Sequence, residues 1–181
     1  MWNIHDRWAI FISGRGSNLQ ALLDLNEAPS VALVVSSTRK AEGLRKAQRR
    51  GVPTLVLEKN VDWMILSKKL KDLRVNKIFL LGFMKIIPFE FIKDWDQKII
   101  NVHPSLLPKY VGLHALEKSF QSNDSVGVTV HEVTADLDAG PILLQRKVIE
   151  EQQCVNIKFD DCVKRVAFTE HQMVRETFLK W

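Results

Sequence analysis

Cysteine is scarce in this chain, and Cys154 and Cys162 are its only two. Neither belongs to a CxxC pair or to a Cys/His set with zinc spacing, so the usual patterns of a structural zinc site or a dithiol redox centre are excluded. Two unpaired thiols suit a reducing compartment. No apolar run reaches the length of a signal peptide or a membrane span, and the start Met1-Trp2-Asn3-Ile4-His5-Asp6-Arg7 is polar and mixed. A soluble cytoplasmic protein is therefore expected. Internal repeats, low-complexity segments and long linkers are missing as well. The chain has 181 residues, 46% of them hydrophobic and 26% charged. That length suffices for one well-buried core and is small for two, which predicts a single domain over 1–181.

The formal net charge of +5 permits an anionic ligand. Much of the excess lies in helical stretches, Arg45-Lys46 with Arg49-Arg50 and Lys68-Lys69 with Lys71, where a solvated face accounts for it. No aromatic-interleaved basic patch accompanies them. A small phosphorylated ligand fits this pattern better than a polynucleotide.

Apolar runs and amphipathic stretches alternate along the chain. Strands are predicted from Trp8 to Ile12, Val31 to Val35, Thr54 to Leu57 and Ile78 to Leu81. Helices are predicted between them, the second closing at Gly51 and the third running from Val61 to Leu73. This alternation implies right-handed βαβ crossovers and an α/β fold with a Rossmann-like, mostly parallel sheet flanked by helices. Further on, Gly127 to Thr134 alternates like a strand with one solvated face, Val128 and Val130 on one side and Thr129 and His131 on the other. A tight acidic turn through Asp136 and Asp138 leads directly into a strand from Ile142 to Ile149. With no crossover helix between them, these two strands should form an antiparallel C-terminal extension of the sheet. The segment from Ile157 to Trp181 reads as one helix, with Glu170 inside its apolar stripe. A carboxylate on that side needs a partner, either a cation of the fold or a ligand amine.

Three stretches carry candidate chemistry. The first strand ends in Ser13-Gly14-Arg15-Gly16-Ser17-Asn18 and a helix follows, so backbone N–H groups and a helix start converge on a possible phosphate. A dinucleotide fingerprint would need a third glycine where Leu19 stands, and an acid where Ser36-Ser37-Thr38 stands, which argues against NAD. The fourth strand runs into Gly82-Phe83-Met84-Lys85-Ile86-Ile87-Pro88, whose apolar side chains at a strand's carboxyl end could wall a cleft for a flat heterocycle. In Ile99-Ile100-Asn101-Val102-His103-Pro104, Asn101 and His103 share one face of a strand, and Pro104 ends it. An amide donor and an imidazole at that place could stabilise an oxygen gaining negative charge.

Together these stretches, with Ser105-Leu106-Leu107-Pro108-Lys109-Tyr110, Gly112-Leu113-His114 and Leu137-Asp138-Ala139-Gly140-Pro141, closely resemble the phosphoribosylglycinamide formyltransferase family. The likeness runs from about Trp8 to at least Gln145, and Glu170-His171 fits a further family motif. It implies transfer of a formyl group from the co-substrate 10-formyltetrahydrofolate to the amine of glycinamide ribonucleotide in purine synthesis. By this resemblance Asn101, His103 and Asp138 are the catalytic trio, and Gly16, Ser17 and Asn18 bind the nucleotide phosphate. Glu170 binds the glycinamide amine, and Met84, Lys85, Ile86 and Ile87 form the folate wall. No metal is implied. The expected partners are the two small molecules, with neither nucleic acid nor membrane, for a monomer or weak homodimer. The chain also departs from the family. Val111 stands for a proline, Lys85 for an arginine and Ala139 for a glycine, and the segments around Glu58 to Trp63 and after His114 are shorter than usual. Formyl transfer to another amine, such as an amino sugar nucleotide, and a catalytically impaired folate- or nucleotide-binding paralogue stay open as alternatives.

Overall fold

A computed structural model describes residues 6–25, 30–154 and 156–181; the polar start over residues 1–5 lies outside them. The described residues form seven strands, β1 (Arg7–Ile12), β2 (Ser30–Ser36), β3 (Thr54–Val56), β4 (Lys77–Leu80), β5 (Ile99–His103), β6 (Val126–Glu132) and β7 (Ile142–Ile149). They make one sheet in the order β3-β2-β1-β4-β5-β6-β7. The first five run parallel, and β6 and β7 are antiparallel additions, as expected from the missing crossover helix. Strand order reverses beside β1 and β4, the place where open α/β sheets form a ligand crevice at their carboxyl ends.

Strand alternation sorts the interior into two clusters, one on each face. On one side Ile10, Val34, Phe79, Ile100, Val102 and Val130 pack under helices α1 (Ser17–Leu23), α2 (Glu42–Arg49) and α7 (Phe159–Lys180). On the other, Phe11, Val35, Ile78 and Ile99 pack under α3 (Trp63–Asp72) and α4 (Phe89–Asp94). Helix α3 begins two residues later than the apolar stripe suggests because Asp62 caps it, accepting from the Met64 and Ile65 amides at 3.0 and 2.9 Å. Helix α5 (Ala115–Gln121) follows the loop after β5.

The carboxyl-terminal segment is one helix as expected, α7, which starts at Phe159 rather than Ile157; a short helix α6 (Glu151–Cys154) precedes it. One expectation needs correction: β6 ends at Glu132 and has no solvated face, with Thr129 and His131 only 0% and 2% exposed. Alternation of apolar and polar residues announces two different faces but not water on one of them. Here the polar face is covered by loop 104–114 and by the turn between β6 and β7. That turn doubles back, with the Val133 amide bonded to the Ile99 carbonyl and the Glu132 amide to the Pro141 carbonyl.

The doubling back depends on Gly140, where an added Cβ would overlap the Glu132 carbonyl. Gly140→Ala should cost about 2 kcal/mol, since backbone rather than a flexible side chain must yield. For a chain of this size that is roughly a 5 °C fall in Tm by circular dichroism. An unchanged Tm would mean that the turn is not clamped.

Candidate active site

Ile100 and Val102 of β5 point into one cluster, so Asn101 and His103 project from the opposite face. The register Asn101↔His131 puts the imidazole of β6 beside Asn101 on that same face. Above them the returning turn lowers Asp138, whose φ of 51° turns the chain sharply there. Its Oδ2 lies 3.5 Å from His103 Nδ1, and its Oδ1 lies 3.5 Å from both His131 Nε2 and Asn101 Nδ2. The Gly112 amide donates to Oδ2 at 2.8 Å. The side chains of His103 and Asp138 are 7% and 9% exposed.

Hydrogen-bond partners fix the direction of each ring. His103 Nε2 lies 2.9 Å from the Tyr110 carbonyl, which can only accept, so Nε2 carries a hydrogen and Nδ1 is the nitrogen that faces Asp138. His131 Nδ1 donates in the same way to the Glu132 carbonyl at 2.9 Å, and Nε2 faces Asn101 Nδ2 at 3.2 Å and Asp138 Oδ1 at 3.5 Å. Burial alone would raise the Asp138 carboxyl. The hydrogen bond from His131, the Gly112 amide and the neighbouring charges of His103 and His131 outweigh it and hold the group below its ordinary 3.8. The carboxylate is therefore an ionised acceptor, ringed by donors at a sheet edge.

The phosphate-loop residues form a second group, on the α1 and α7 side. Gly16 caps α1 with φ 68° and no side-chain bond, and an added Cβ would sit 2.7 Å from the Gly43 Cα at the start of α2. The first intrahelical bond is Gln20 N–H to the Gly16 carbonyl, so the amides of Ser17, Asn18 and Leu19 precede the ladder. Asn18 Nδ2 donates to Glu170 Oε2 at 3.1 Å, which joins this loop to the carboxylate of α7. Asn18 is 9% exposed, and its Oδ1 is buried with no partner among the described residues. The partner that Glu170 finds is thus an amide and not a cation, and burial pushes its carboxyl up, opposed only by the Asn18 bond.

The loop after β4 joins the other two at the sheet's carboxyl edge. The Met84 amide donates to Ser13 Oγ at 2.8 Å, and Ser13 Oγ lies 2.6 Å from Ser37 Oγ. Met84 and Ile86 are strongly exposed, and Lys85 Nζ reaches the Lys59 carbonyl at 3.1 Å. Ile87 lies inside the apolar cluster beneath, where it supports the wall. Thus Asn101, His103 and Asp138 come together as one group, Asn18 and Glu170 as another, and Met84 to Ile86 beside the first loop. Sequence reasoning missed His131, the Gly112 amide and the Tyr110 carbonyl. His131 was readable in part, because it alternates with valines on a strand predicted to pair with the site's neighbour. The backbone groups carry no such signal. Among the described residues no group of His, Cys, Asp and Glu is placed to hold a metal ion.

An amide, two imidazoles and an ionised carboxylate at the carboxyl edge of a Rossmann-like sheet define a class: an α/β group-transfer enzyme whose side chains can stabilise an oxyanion and move a proton. A formyl transferase family model matches residues 6–177. The chain belongs to that family. It is 38% identical over 151 residues to phosphoribosylglycinamide formyltransferase of Haemophilus influenzae, covering 77% of this chain and 71% of that one. It is also 36% identical over 182 residues to the human trifunctional purine biosynthetic protein adenosine-3, covering 92% of this chain and 17% of that protein. The crystal structure of phosphoribosylglycinamide formyltransferase from Anaplasma phagocytophilum superposes with a TM-score of 0.87 at 37% identity, over 94% of this chain and 84% of that one.

The raised Glu170 carboxyl has a stability consequence. A folded value above the ordinary 4.5 favours the protonated form, so the contribution is fully present below 4.5 and is lost as pH rises through the folded value. Glu170→Gln keeps an acceptor for Asn18 without the half-buried charge. The variant should therefore melt higher than the parent at pH 7.5, and the gap should close at pH 4. Parallel melting curves at both pH values would contradict the assignment of Glu170 as a desolvated acid.

Proposed function

We propose that this chain is a folate-dependent phosphoribosylglycinamide formyltransferase, acting as one domain and transferring the formyl group of 10-formyltetrahydrofolate to the amine of glycinamide ribonucleotide. The observation that carries the reading is the convergence of Asn101, His103 and Asp138 on one buried face, in a chain whose relatives bear that name. The assignment covers formyl transfer alone, since the chain spans only 17% of the trifunctional relative. Purine synthesis and a cytoplasmic location follow from it.

The chemistry is addition followed by elimination. The neutral amine attacks the formyl carbon, a carbon–nitrogen bond forms, and the carbonyl oxygen gains negative charge. Asn101 Nδ2, whose 3.5 Å contact with Asp138 is at the limit of a hydrogen bond, has a hydrogen to give that oxygen. The amine nitrogen must then lose a proton as the bond to the folate nitrogen breaks. Asp138 is ionised and can accept it, and His103 Nδ1, 3.5 Å away, is placed to share it before it passes to the departing nitrogen. At the other group, the Ser17 and Asn18 amides suit a phosphate. Glu170 and the unpartnered Asn18 Oδ1 are two acceptors that suit a ligand amine or hydroxyl. The exposed apolar side chains of Met84 and Ile86 supply a wall for the flat heterocycle, with Lys85 beside it.

Tetrahydrofolate release from 10-formyltetrahydrofolate, followed spectrophotometrically with purified protein, should require glycinamide ribonucleotide. His103→Ala and Asp138→Asn should each lower kcat by about 10² to 10⁴ while leaving the far-ultraviolet spectrum unchanged. Release without the ribonucleotide would reveal a hydrolase. Release that requires an amino sugar nucleotide would change the acceptor, and no release from folded protein would overturn the reading.

A further inference from the structure

Tyr110, the single tyrosine of the chain, is bound at both ends. Its carbonyl accepts from His103 Nε2 at 2.9 Å, and its hydroxyl donates to Asp124 Oδ2 at 3.1 Å. Its φ of 58° is costly for a residue with a side chain, so something must hold it there. Asp124 is the residue placed to do so. Besides Tyr110 it takes Lys109 Nζ on Oδ2 at 2.7 Å and the Ser125 amide on Oδ1 at 2.7 Å. Its own backbone is fixed too, the amide donating to the Ser119 carbonyl and the carbonyl accepting from Cys154 Sγ.

The rest of the strap is pinned independently. Ser105 Oγ donates to the Lys109 carbonyl at 2.8 Å, and Thr129 Oγ1 donates to the Ser105 carbonyl at 2.7 Å. Gly112 is tied to Asp138. These bonds hold the strap's two ends, whereas the side chain of Tyr110 and the ammonium of Lys109 meet on one carboxylate. The Lys109 hydrogen bond is the largest influence on that carboxyl, followed by the Ser125 amide; with Tyr110 and the Lys109 charge they overcome burial and bring it down to about 2. Asp124 is therefore ionised at any pH at which the protein works.

We propose that Asp124 is a positioning residue for His103. By anchoring Tyr110 and Lys109 it fixes the Tyr110 carbonyl as the acceptor of the Nε2 hydrogen, and so directs Nδ1 to Asp138. It lies outside the trio and touches no reacting atom. Its effect passes through one backbone carbonyl to the tautomer and orientation of the imidazole. This deepens the formyltransferase reading and rests on it for its catalytic consequence, but the effect on the ring exists without substrate.

The test therefore begins without substrate. In protein carrying ¹⁵N-labelled histidine, the His103 resonances are assigned by their loss in His103→Gln. The parent should show a protonated Nε2 in a single tautomer. In Tyr110→Phe and Asp124→Ala the two ring nitrogens should shift toward averaged values, the second variant more than the first. In the transfer assay both should lower kcat, Asp124→Ala by about ten-fold, with KM changed less than two-fold. Unchanged His103 nitrogen shifts in both folded variants would overturn the inference, whatever happens to turnover. A parent that binds and folds but transfers no formyl group would instead overturn the reading of function, leaving the resonance result to stand alone.

Discussion

The structure depends on burying one carboxylate on a sheet face. An ionised Asp138 with 9% of its side chain exposed is unfavourable unless donors surround it. The fold meets this with N–H groups of Asn101 and of Gly112 in the loop above, and with the imidazoles of His103 and His131, brought beside the carboxylate by two neighbouring strands. Each contact constrains something else. The two strand contacts require β5 and β6 to pair in their observed register, because a slip of β6 by one residue would turn His131 to the face opposite Asn101 and His103. The Gly112 contact requires loop 104–114 to lie over that face. The turn itself can return only because Gly140 passes close to the Glu132 carbonyl.

That arrangement divides the labour across the carboxyl edge of the sheet. The trio sits on the side of α3 and α4, and the Asn18–Glu170 pair on the side of α1 and α7. Between them lie the ends of β1 and β4, where strand order reverses and the Met84 amide is tied to Ser13. A substrate that uses both groups must bridge the edge. The electrostatics differ accordingly. The trio's carboxylate is kept charged by its neighbours, while burial raises that of Glu170.

What was legible in the sequence follows from range. The parallel strands were readable because strands buried on both faces appear as short continuous apolar runs, as in Val31 to Val35 and Ile78 to Leu81. Asn101 and His103 sharing a face needed only the two-residue period of a strand. Asp138 was reached through a resemblance rather than a period, because its place depends on a turn folding back 37 residues later in the chain. His131 was assigned to a solvated face because periodicity distinguishes faces and says nothing about what covers them. That Ile87 would lie in the apolar cluster beneath the other three residues of its loop could not be read, because a loop has no period from which to infer direction.

The departures from the family pattern can be weighed by what they touch. Val111 replaces a proline between Tyr110 and Gly112, yet the two site contacts on either side use the Tyr110 carbonyl and the Gly112 amide, and the Val111 side chain is exposed. A change of side chain there leaves both backbone groups in service, provided the strap keeps its path. Ala139 adds a methyl group one residue from Asp138, but the close approach in that turn falls on Gly140, which is retained. The segment around Glu58 to Trp63 contains Lys59, whose carbonyl takes the Lys85 ammonium, so it bears on the loop after β4 rather than on the surroundings of Asp138. The shortening therefore bears on the loop proposed as the co-substrate's wall, whereas the groups around Asp138 come from β5, β6 and a backbone amide that none of these changes removes.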